Sequence, residues 1–384
     1  MVNTLHLNGT SYEIGYKHGT LAKTQIHASL KSYAPHFAAA GLSPGDVQEL
    51  ASSFAESIKA KVPHLYDELN GIAEGAEVPL LDIVALNARS EIALAATAGD
   101  DDDDDDGKVP IPADGCTTFA EAVDDKQWLA QNWDWQTSQI SNLVLLEIEL
   151  PAGTLATTQK LNTITEAGLL AKIGFNSDSV GVCLNALRAT DLNTANLPLH
   201  VLLRVVLESN SIAEAKRRIV EDLGGGSASY GHFGVADGKL ATGGGAESWE
   251  IGPYGINVIK PDDHARLFHT NHTIKQDIKI RELPWLEDTY ERIDRLRELV
   301  AENDHNTTSK PAFTIEQQKD RIFSFLKDED NYPNSICRAN DNTKTGLLGS
   351  LQTVFSIIMD LTDKKAWVTV GRPKHVLEAF ELKF

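Results

Sequence analysis

Cations, cysteines and aromatic residues are all scarce in this sequence of 384 residues. Lys and Arg number 35 against 55 Asp and Glu, which gives a formal net charge of −20, and Phe, Trp and Tyr make up only 7%. Because neutralising phosphate groups requires clustered Lys and Arg, this balance argues against a nucleic-acid-binding surface and against docking on anionic lipid. We therefore expect neither nucleic acid nor a membrane as a partner.

Long apolar runs are missing as well. No stretch approaches the roughly 18 apolar residues of a membrane-spanning helix, and the first nine residues lack the basic and then apolar profile of a secretory signal. The three cysteines, Cys116, Cys183 and Cys337, are spaced too widely for a disulfide framework or a zinc site. These absences predict an intracellular protein without a bound metal.

The negative charge is concentrated in one segment, the seven consecutive aspartates Asp100 to Asp106. Glycines and prolines flank the run, and mutual repulsion keeps such a segment extended and solvated. We predict an exposed loop over residues 97–113.

Helical patterns precede this loop. Up to about Ala96 apolar residues recur at intervals of three and four, and Ser43 is placed to cap a helix that starts at Pro44. Gly15 and Gly19 lie on one face of a predicted helix, where small residues permit close packing.

Strand patterns follow the loop and alternate with further helices. Strands are predicted over residues 116–123, 127–133, 143–150, 155–165, 171–175, 180–186, 232–236, 247–251, 255–260, 265–270, 353–360 and 366–370, with helices over 198–223, 286–300 and 315–326. This order favours an α+β layered fold over a doubly wound sheet. The length allows two or three domains or one large layered domain.

The segment that carries chemistry is Asp114-Gly-Cys-Thr-Thr-Phe119, where a cysteine begins a strand. Gly115 lets the neighbouring Sγ approach its carbonyl, so an N-to-S acyl shift followed by hydrolysis would free Cys116 as a new N-terminus. An α-amine with a pKa of about 7.7–8.0 beside a thiol near 8.5 makes proton transfer between them nearly balanced. The alternative is an ordinary buried cysteine. The position just after an exposed loop favours self-processing.

Motifs along nearly the whole chain resemble the fungal acyl-coenzyme A:6-aminopenicillanic-acid acyltransferases (isopenicillin N acyltransferases) of the N-terminal-nucleophile hydrolase superfamily. The matching blocks are Gly9–Gly15, Asp114–Thr118, Gln131–Asp134, Ile164–Gly168, Lys172–Ser177, Asn185–Leu187, His269–His272, Asp328–Pro333, Ser335–Arg338 and Gly371–Pro373. Their number and order make the resemblance more specific than any single motif.

The resemblance implies an αββα four-layer sandwich that is cut between Gly115 and Cys116. Residues 1–115, an N-terminal helical segment ending in the acidic loop, and residues 116–384, the catalytic part, would stay together as a heterodimer within one αββα unit. It also implies that the freed cysteine exchanges the acyl chain of isopenicillin N or 6-aminopenicillanic acid with acyl-coenzyme A. No cofactor is expected beyond acyl-coenzyme A as co-substrate.

The resemblance also assigns residues. Cys116 matches the nucleophile, and Asp134 in Asn-Trp-Asp matches the aspartate that would orient the new amine. Asn271 in His-Thr-Asn-His lies where an amide can contribute to an oxyanion hole. Arg338 is the expected cation near the nucleophile, where a fixed positive charge lowers the pKa of a thiol. Metal binding by the two histidines of that motif is disfavoured by their spacing.

Three further residues match supporting positions of the family. Ser229 and Ser335 align with serines linked to processing or activity, and Thr118 lies on the same side of its strand as Cys116, where it would assist the acyl shift. Ordinary hydrogen bonding to the backbone is the alternative for all three. Cys183 and Cys337 are expected to be structural.

Two features depart from the family. The chain ends in Leu382-Lys-Phe384 rather than in a peroxisomal tripeptide, which predicts a cytoplasmic, acyltransferase-like paralogue. Residues 135–137 replace aromatic neighbours that shape the acyl pocket in the penicillin enzymes. The alternatives that remain are an amidohydrolase acting on another N-acyl amide or peptide, and a catalytically idle paralogue.

Overall fold

The structure is a computed structural model that describes residues 2–95, 115–243, 245–275, 280, 282, 286–305, 312–339 and 351–384. The predicted acidic loop over residues 97–113 lies outside these ranges. Among the described residues, no helix combines the length and the apolar character that a membrane crossing needs.

Helices and strands follow one another in the broad order that the sequence predicts. The helices are α1 (Ser11–Leu21), α2 (Lys23–Ala39), α3 (Pro44–Lys61), α4 (Pro63–Ala76), α5 (Leu80–Asn87), α6 (Arg89–Ala95), α7 (Leu199–Leu207), α8 (Ile212–Arg217), α9 (Asp288–His305) and α10 (Ile315–Leu326). The strands are β1 (Asn3–Leu7), β2 (Thr117–Val123), β3 (Lys126–Gln136), β4 (Leu143–Glu149), β5 (Lys160–Glu166), β6 (Ile173–Asn176), β7 (Val180–Ala186), β8 (Gly231–Asp237), β9 (Ala246–Gly252), β10 (Gly255–Ile259), β11 (Arg266–His269), β12 (Leu351–Asp360), β13 (Lys365–Val370) and β14 (Glu378–Lys383).

The strands form two sheets, one of eight strands in the order β1-β4-β5-β6-β7-β8-β9-β10 and one of six in the order β11-β2-β3-β12-β13-β14. The sheets pack face to face, since β2 and β3 contact β7 and β8. Helices α7 and α8 cover the outer face of the first sheet, and α9 and α10 cover that of the second. This arrangement confirms the predicted α+β fold with αββα layers.

The N-terminal helices pack closely where the sequence places glycines. A Cβ atom at Gly15 would overlap the main-chain oxygen of Glu68 on α4, and one at Gly71 would overlap the main-chain oxygen of Tyr12 on α1. The predicted close packing at the α1 glycines is therefore confirmed. Ser43 caps α3 as predicted, because its Oγ accepts a hydrogen bond from the Asp46 amide.

Three strands differ from the prediction. Strand β1 precedes the helical region and pairs in parallel with β4, so the N-terminal segment is not purely helical and contributes a strand to the large sheet. Strand β5 begins at Lys160 rather than at residue 155, because residues 151–156 turn after β4. Strand β14 was not predicted and forms the edge of the smaller sheet beside β13.

A second apolar cluster fixes the position of α9 over the start of β2. Phe119 and Trp128 on the hairpin pack with Leu296 of α9 and with Phe325 of α10, and all four side chains are at most 1% exposed. Burying large side chains of this kind contributes roughly 1.5–3 kcal/mol each. This packing holds the N-terminal end of α9 next to the residues that precede β2.

Candidate active site

The β2–β3 hairpin places Cys116 beside the conspicuous Asn-Trp-Asp segment. Thr117 pairs with Asn132, so the same antiparallel register carried one and two residues further sets Cys116 opposite Trp133 and Gly115 opposite Asp134. Cys116 is fully buried and belongs to the core between the two sheets. The sequence reasoning therefore brought together residues that the fold also brings together.

Asn271, in the turn after β11, binds the main-chain nitrogen of Cys116. The Cys116 N–H donates to Oδ1 of Asn271 at 2.8 Å, and Nδ2 of the same amide donates to the Ala186 carbonyl at 3.1 Å. Arg292 Nη2 also donates to Oδ1 at 2.9 Å, so both neighbours of this oxygen are donors and the amide orientation follows from its partners. The predicted oxyanion donor thus faces Cys116 with its acceptor atom.

Arg292, on α9, is a site residue that the sequence reasoning missed. Its Nη1 donates to the Cys116 carbonyl oxygen at 2.7 Å and to Oγ1 of Thr117 at 3.1 Å, and its Nε donates to Asp288 at 2.7 Å. The guanidinium is 1% exposed. Cys116 is therefore held at its nitrogen by Asn271 and at its carbonyl oxygen by Arg292, and the arginine also fixes the asparagine.

Arg338 lies against the peptide bond that the sequence marks as scissile. A Cβ atom built on Gly115 would be 2.7 Å from Nε of Arg338, so only glycine fits beside this guanidinium. Arg338 Nε donates to Asp134 at 3.2 Å, and its Nη2 donates to Asp288. Thr353 on β12 donates to the other oxygen of Asp134 at 2.7 Å.

The two carboxylates of this cluster have different protonation behaviour. Burial raises the pKa of Asp134 to about 7, against the opposing effect of Arg338 and Arg292. Burial also acts on Asp288, but the same two arginines hold the pKa of that carboxyl below its usual value. The cluster therefore contains one carboxylate that stays ionised and one that gains or loses a proton near neutral pH.

Thr118 lies on the inter-sheet face, as predicted from its spacing to Cys116. Its hydroxyl donates to Oδ1 of Asn185 at 2.6 Å and accepts a hydrogen bond from Gln131 at 3.0 Å. Nδ1 of His232 also donates to Asn185 at 2.8 Å, since burial lowers the pKa of His232 far below neutrality and leaves the ring uncharged. These hydrogen bonds tie the two sheets together directly below Cys116.

The two predicted serines make their described hydrogen bonds elsewhere. Ser229 donates to Glu91 of α6 at 2.9 Å, and Ser335 donates to the main-chain carbonyl of Cys337 at 2.9 Å. Both serines are buried. Their predicted roles in processing remain predictions, and the contact of Ser335 is of the backbone type that the alternative envisaged.

The other two cysteines are buried free thiols. Burial raises the pKa of both Cys183 and Cys337, which is the behaviour of inert structural cysteines. Within the part of the chain that the structure describes, no three His, Cys, Asp or Glu side chains are grouped as metal ligands.

A pocket with mostly apolar walls adjoins the site. It shares Ala186 with the Asn271 amide and Trp135 with the strand that carries Asp134. Trp135 stacks at 6.3 Å on Trp133, the residue opposite Cys116. The other apolar and aromatic lining residues are Tyr33, Phe37, Ala93, Leu94, Leu184, Leu187, Leu199 and Tyr230.

A buried cysteine that follows a glycine and begins a strand between two stacked sheets, in an αββα sandwich, defines the class of N-terminal-nucleophile hydrolase folds. Residues 122–375 match the sequence model of the family described as acyl-coenzyme A:6-aminopenicillanic acid acyl-transferase. A relative from Emericella nidulans, the acyl-coenzyme A:6-aminopenicillanic-acid-acyltransferase 40 kDa form, is 34% identical over 384 residues and covers 98% of this chain and 94% of its own. The chain belongs to this acyltransferase family.

Two solved structures are also similar. The conjugated bile acid hydrolase from Clostridium perfringens has a TM-score of 0.46 and 14% identity, and the match covers 70% of this chain and 92% of that chain. The penicillin V acylase from Agrobacterium tumefaciens has a TM-score of 0.44 and 13% identity, with 70% and 86% of the two chains covered. Family membership itself rests on the sequence matches, and it makes the protein an enzyme of the acyltransferase and amide hydrolase type.

Proposed function

We propose that this enzyme cuts its own chain between Gly115 and Cys116 and then uses the freed Cys116 as the nucleophile of acyl transfer. The observation that carries the proposal is the treatment of this one peptide unit. Asn271 binds the nitrogen of Cys116 at 2.8 Å, Arg292 binds its carbonyl oxygen at 2.7 Å, and Arg338 packs against Gly115. An ordinary buried cysteine requires none of these three contacts.

Self-cleavage would begin with attack of Sγ of Cys116 on the carbonyl carbon of Gly115. The C–N bond breaks, the nitrogen takes up the thiol proton, and a thioester joins Gly115 to Cys116; water then hydrolyses this thioester. The Arg338 guanidinium supplies positive charge beside the carbonyl where the oxyanion develops. Asn271 receives the leaving nitrogen, and an ammonium group donates to the same oxygen more strongly than the peptide N–H does.

The cut chain then has its base and its nucleophile in one residue. The α-amine of Cys116 takes the thiol proton, the thiolate attacks the acyl carbonyl, and the amine returns the proton to the leaving group. An amine or water attacks the resulting thioester and releases the acyl chain. Asn271 and Arg292 would keep the amine and the carbonyl of Cys116 in place during both steps, because effective catalysis depends on such positioning.

The substrates that we propose follow from the family. The relative from Emericella nidulans is named for acyl-coenzyme A and 6-aminopenicillanic acid. We infer that this enzyme exchanges the acyl chain of isopenicillin N or 6-aminopenicillanic acid with acyl-coenzyme A. The two cleavage products would remain together as a heterodimer, since β1 is hydrogen-bonded into the large sheet beside β4. An amidohydrolase of another N-acyl amide is the second candidate, favoured by the change at Trp135 in the pocket wall.

Three incubations test the substrate. The purified protein is given isopenicillin N alone, phenylacetyl-coenzyme A with 6-aminopenicillanic acid, or a panel of simple N-acyl amides, and products are followed by liquid chromatography with mass detection. Formation of 6-aminopenicillanic acid or of the phenylacetyl product supports the acyltransferase. Hydrolysis of the amides alone supports the second candidate, and no turnover of any of them contradicts the proposed activity.

A further inference from the structure

The apolar pocket next to the candidate site contains one guanidinium without a counter-ion. Arg188, just beyond β7, lines the pocket, and its Nε is buried and has no hydrogen-bond partner within the described part of the chain. Burial alone lowers the pKa of this arginine, whereas Arg292 and Arg338 are each compensated by carboxylates. An uncompensated buried charge is unfavourable for the free protein and is relieved by a bound anion.

The charges around the pocket have the same sign. Among the described lining residues there is no Asp or Glu. Arg89, the second cation of the lining, donates to Glu166 at 2.6 Å, and Lys172 donates to the same carboxylate at 3.0 Å. One carboxylate is thus shared by two cations, so this group carries a net positive charge in addition to that of Arg188. A negatively charged ligand end suits this field.

We infer that Arg188 selects acyl groups that have an apolar chain and end in a carboxylate. The apolar walls accommodate the chain, and the guanidinium binds the carboxylate at its end with paired hydrogen bonds. This inference rests on the proposed function, because it assigns the pocket to the acyl chain of the substrate.

The position of the pocket supports this assignment. Its Ala186 carbonyl accepts a hydrogen bond from Asn271, the residue that binds the nitrogen of Cys116. Its Trp135 stacks on Trp133, which lies opposite Cys116 in the hairpin register. Arg188 follows Ala186 by two residues, a distance of roughly 6–7 Å along an extended chain. A substrate carbonyl near Cys116 can therefore place a chain of a few methylene groups along Trp135 toward Arg188.

The test measures binding rather than turnover. Isothermal titration calorimetry compares three small amides on the purified, full-length protein: N-methyladipamic acid with a carboxylate at the end of the acyl chain, N-methylhexanamide of the same chain length without it, and N-hexanoylglycine with the carboxylate on the amine side. The proteins are the wild type, Arg188→Gln, Arg188→Lys and the control Arg217→Gln, which removes an exposed arginine of α8.

We expect N-methyladipamic acid to bind the wild type and Arg217→Gln about tenfold or more tightly than N-methylhexanamide, as a charged hydrogen bond allows. Arg188→Gln should abolish this difference and leave the affinity for N-methylhexanamide unchanged, and Arg188→Lys should retain part of it. Equal binding of the two amides by the wild type, or a preference that survives in Arg188→Gln, overturns the inference. A preference for N-hexanoylglycine that depends on Arg188 overturns the acyl-side assignment. If the binding preference is found but none of the incubations shows turnover, the proposed function fails and the carboxylate site stands.

Discussion

Arg292 Nη1 lies 2.7 Å from the main-chain carbonyl oxygen of Cys116, although 176 positions separate the two residues in the sequence. The same guanidinium donates to Asn271, which in turn accepts from the Cys116 nitrogen. One side chain on α9 therefore controls the backbone geometry on both sides of the candidate nucleophile.

Replacing Arg292 by Gln should slow self-cleavage by about 10- to 100-fold, because a hydrogen bond to a charged group contributes roughly 1.5–3 kcal/mol and 1.36 kcal/mol corresponds to a tenfold rate change. Arg292→Lys, which keeps the charge but not the fork of donors, should fall between Gln and the wild type. The rate is measured as the decay of intact chain on gels or by mass spectrometry.

Arg297→Gln is the matched control, since Arg297 lies on the same helix, is 49% exposed and pairs with Asp294. It should process at the wild-type rate. Equal rates for Arg292→Gln and Arg297→Gln would contradict a positioning role for Arg292. Circular dichroism and the thermal midpoint of each variant separate a change of rate from a loss of fold.

Gly115→Ala should block or greatly delay self-cleavage. The added Cβ would lie 2.7 Å from Nε of Arg338, so the guanidinium or the peptide has to move, and misplacing reacting groups by about 1 Å costs about a hundredfold in rate. Gly45→Ala on α3 is the control, because its nearest contact would be an ordinary 3.6 Å. Wild-type cleavage of Gly115→Ala would show that the close approach of Arg338 is irrelevant to the reaction.

The pH profile of self-cleavage should reflect Asp134. Because burial raises its pKa to about 7, this carboxyl is neutral below that pH and ionised above it. If the ionised form supports the new amine, the rate should be roughly tenfold lower at pH 6 than at pH 8 for this group alone, with a further rise near the thiol pKa of about 8.5.

Asp134→Asn should lose the inflection near pH 7 and keep only the rise that belongs to the thiol. The control is Asp360→Asn, which changes another buried carboxyl whose pKa is also raised by burial, at the far end of β12. An inflection near pH 7 that is unchanged in Asp134→Asn would assign this titration to a different group.

Much of the fold could be read from the sequence where local signals and tertiary contacts agree. The alternation before and after residues 124–125 predicted the β2–β3 hairpin, and the capping residues Ser43 and Thr314 mark helices whose starts the structure reproduces. Strand β1 was overlooked because five residues carry little periodic signal and the strand depends on distant pairing with β4.

The candidate site was partly accessible for the same reason. Cys116 and Asp134 stand in adjacent strands of one hairpin, so their proximity follows from local sequence and the motif. Arg292 could not be found in this way, because a single arginine on an amphipathic helix reads as a solvent-exposed residue. Only the packing of α9 against β2 through Phe119 and Leu296 turns it toward Cys116. The neighbouring Asp288, four residues before Arg292, was the available signal for a fixed guanidinium.

The most direct test of the account is the intact mass of the purified protein, compared with that of Cys116→Ala. We predict that the wild type separates under denaturing conditions into two pieces, residues 1–115 and 116–384, and that the second piece begins with a free Cys116 amine. Cys116→Ala should remain one chain with the same fold. A wild-type protein that stays intact, or a Cys116→Ala variant cut at the same bond, would contradict the central claim that Cys116 releases itself as the nucleophile.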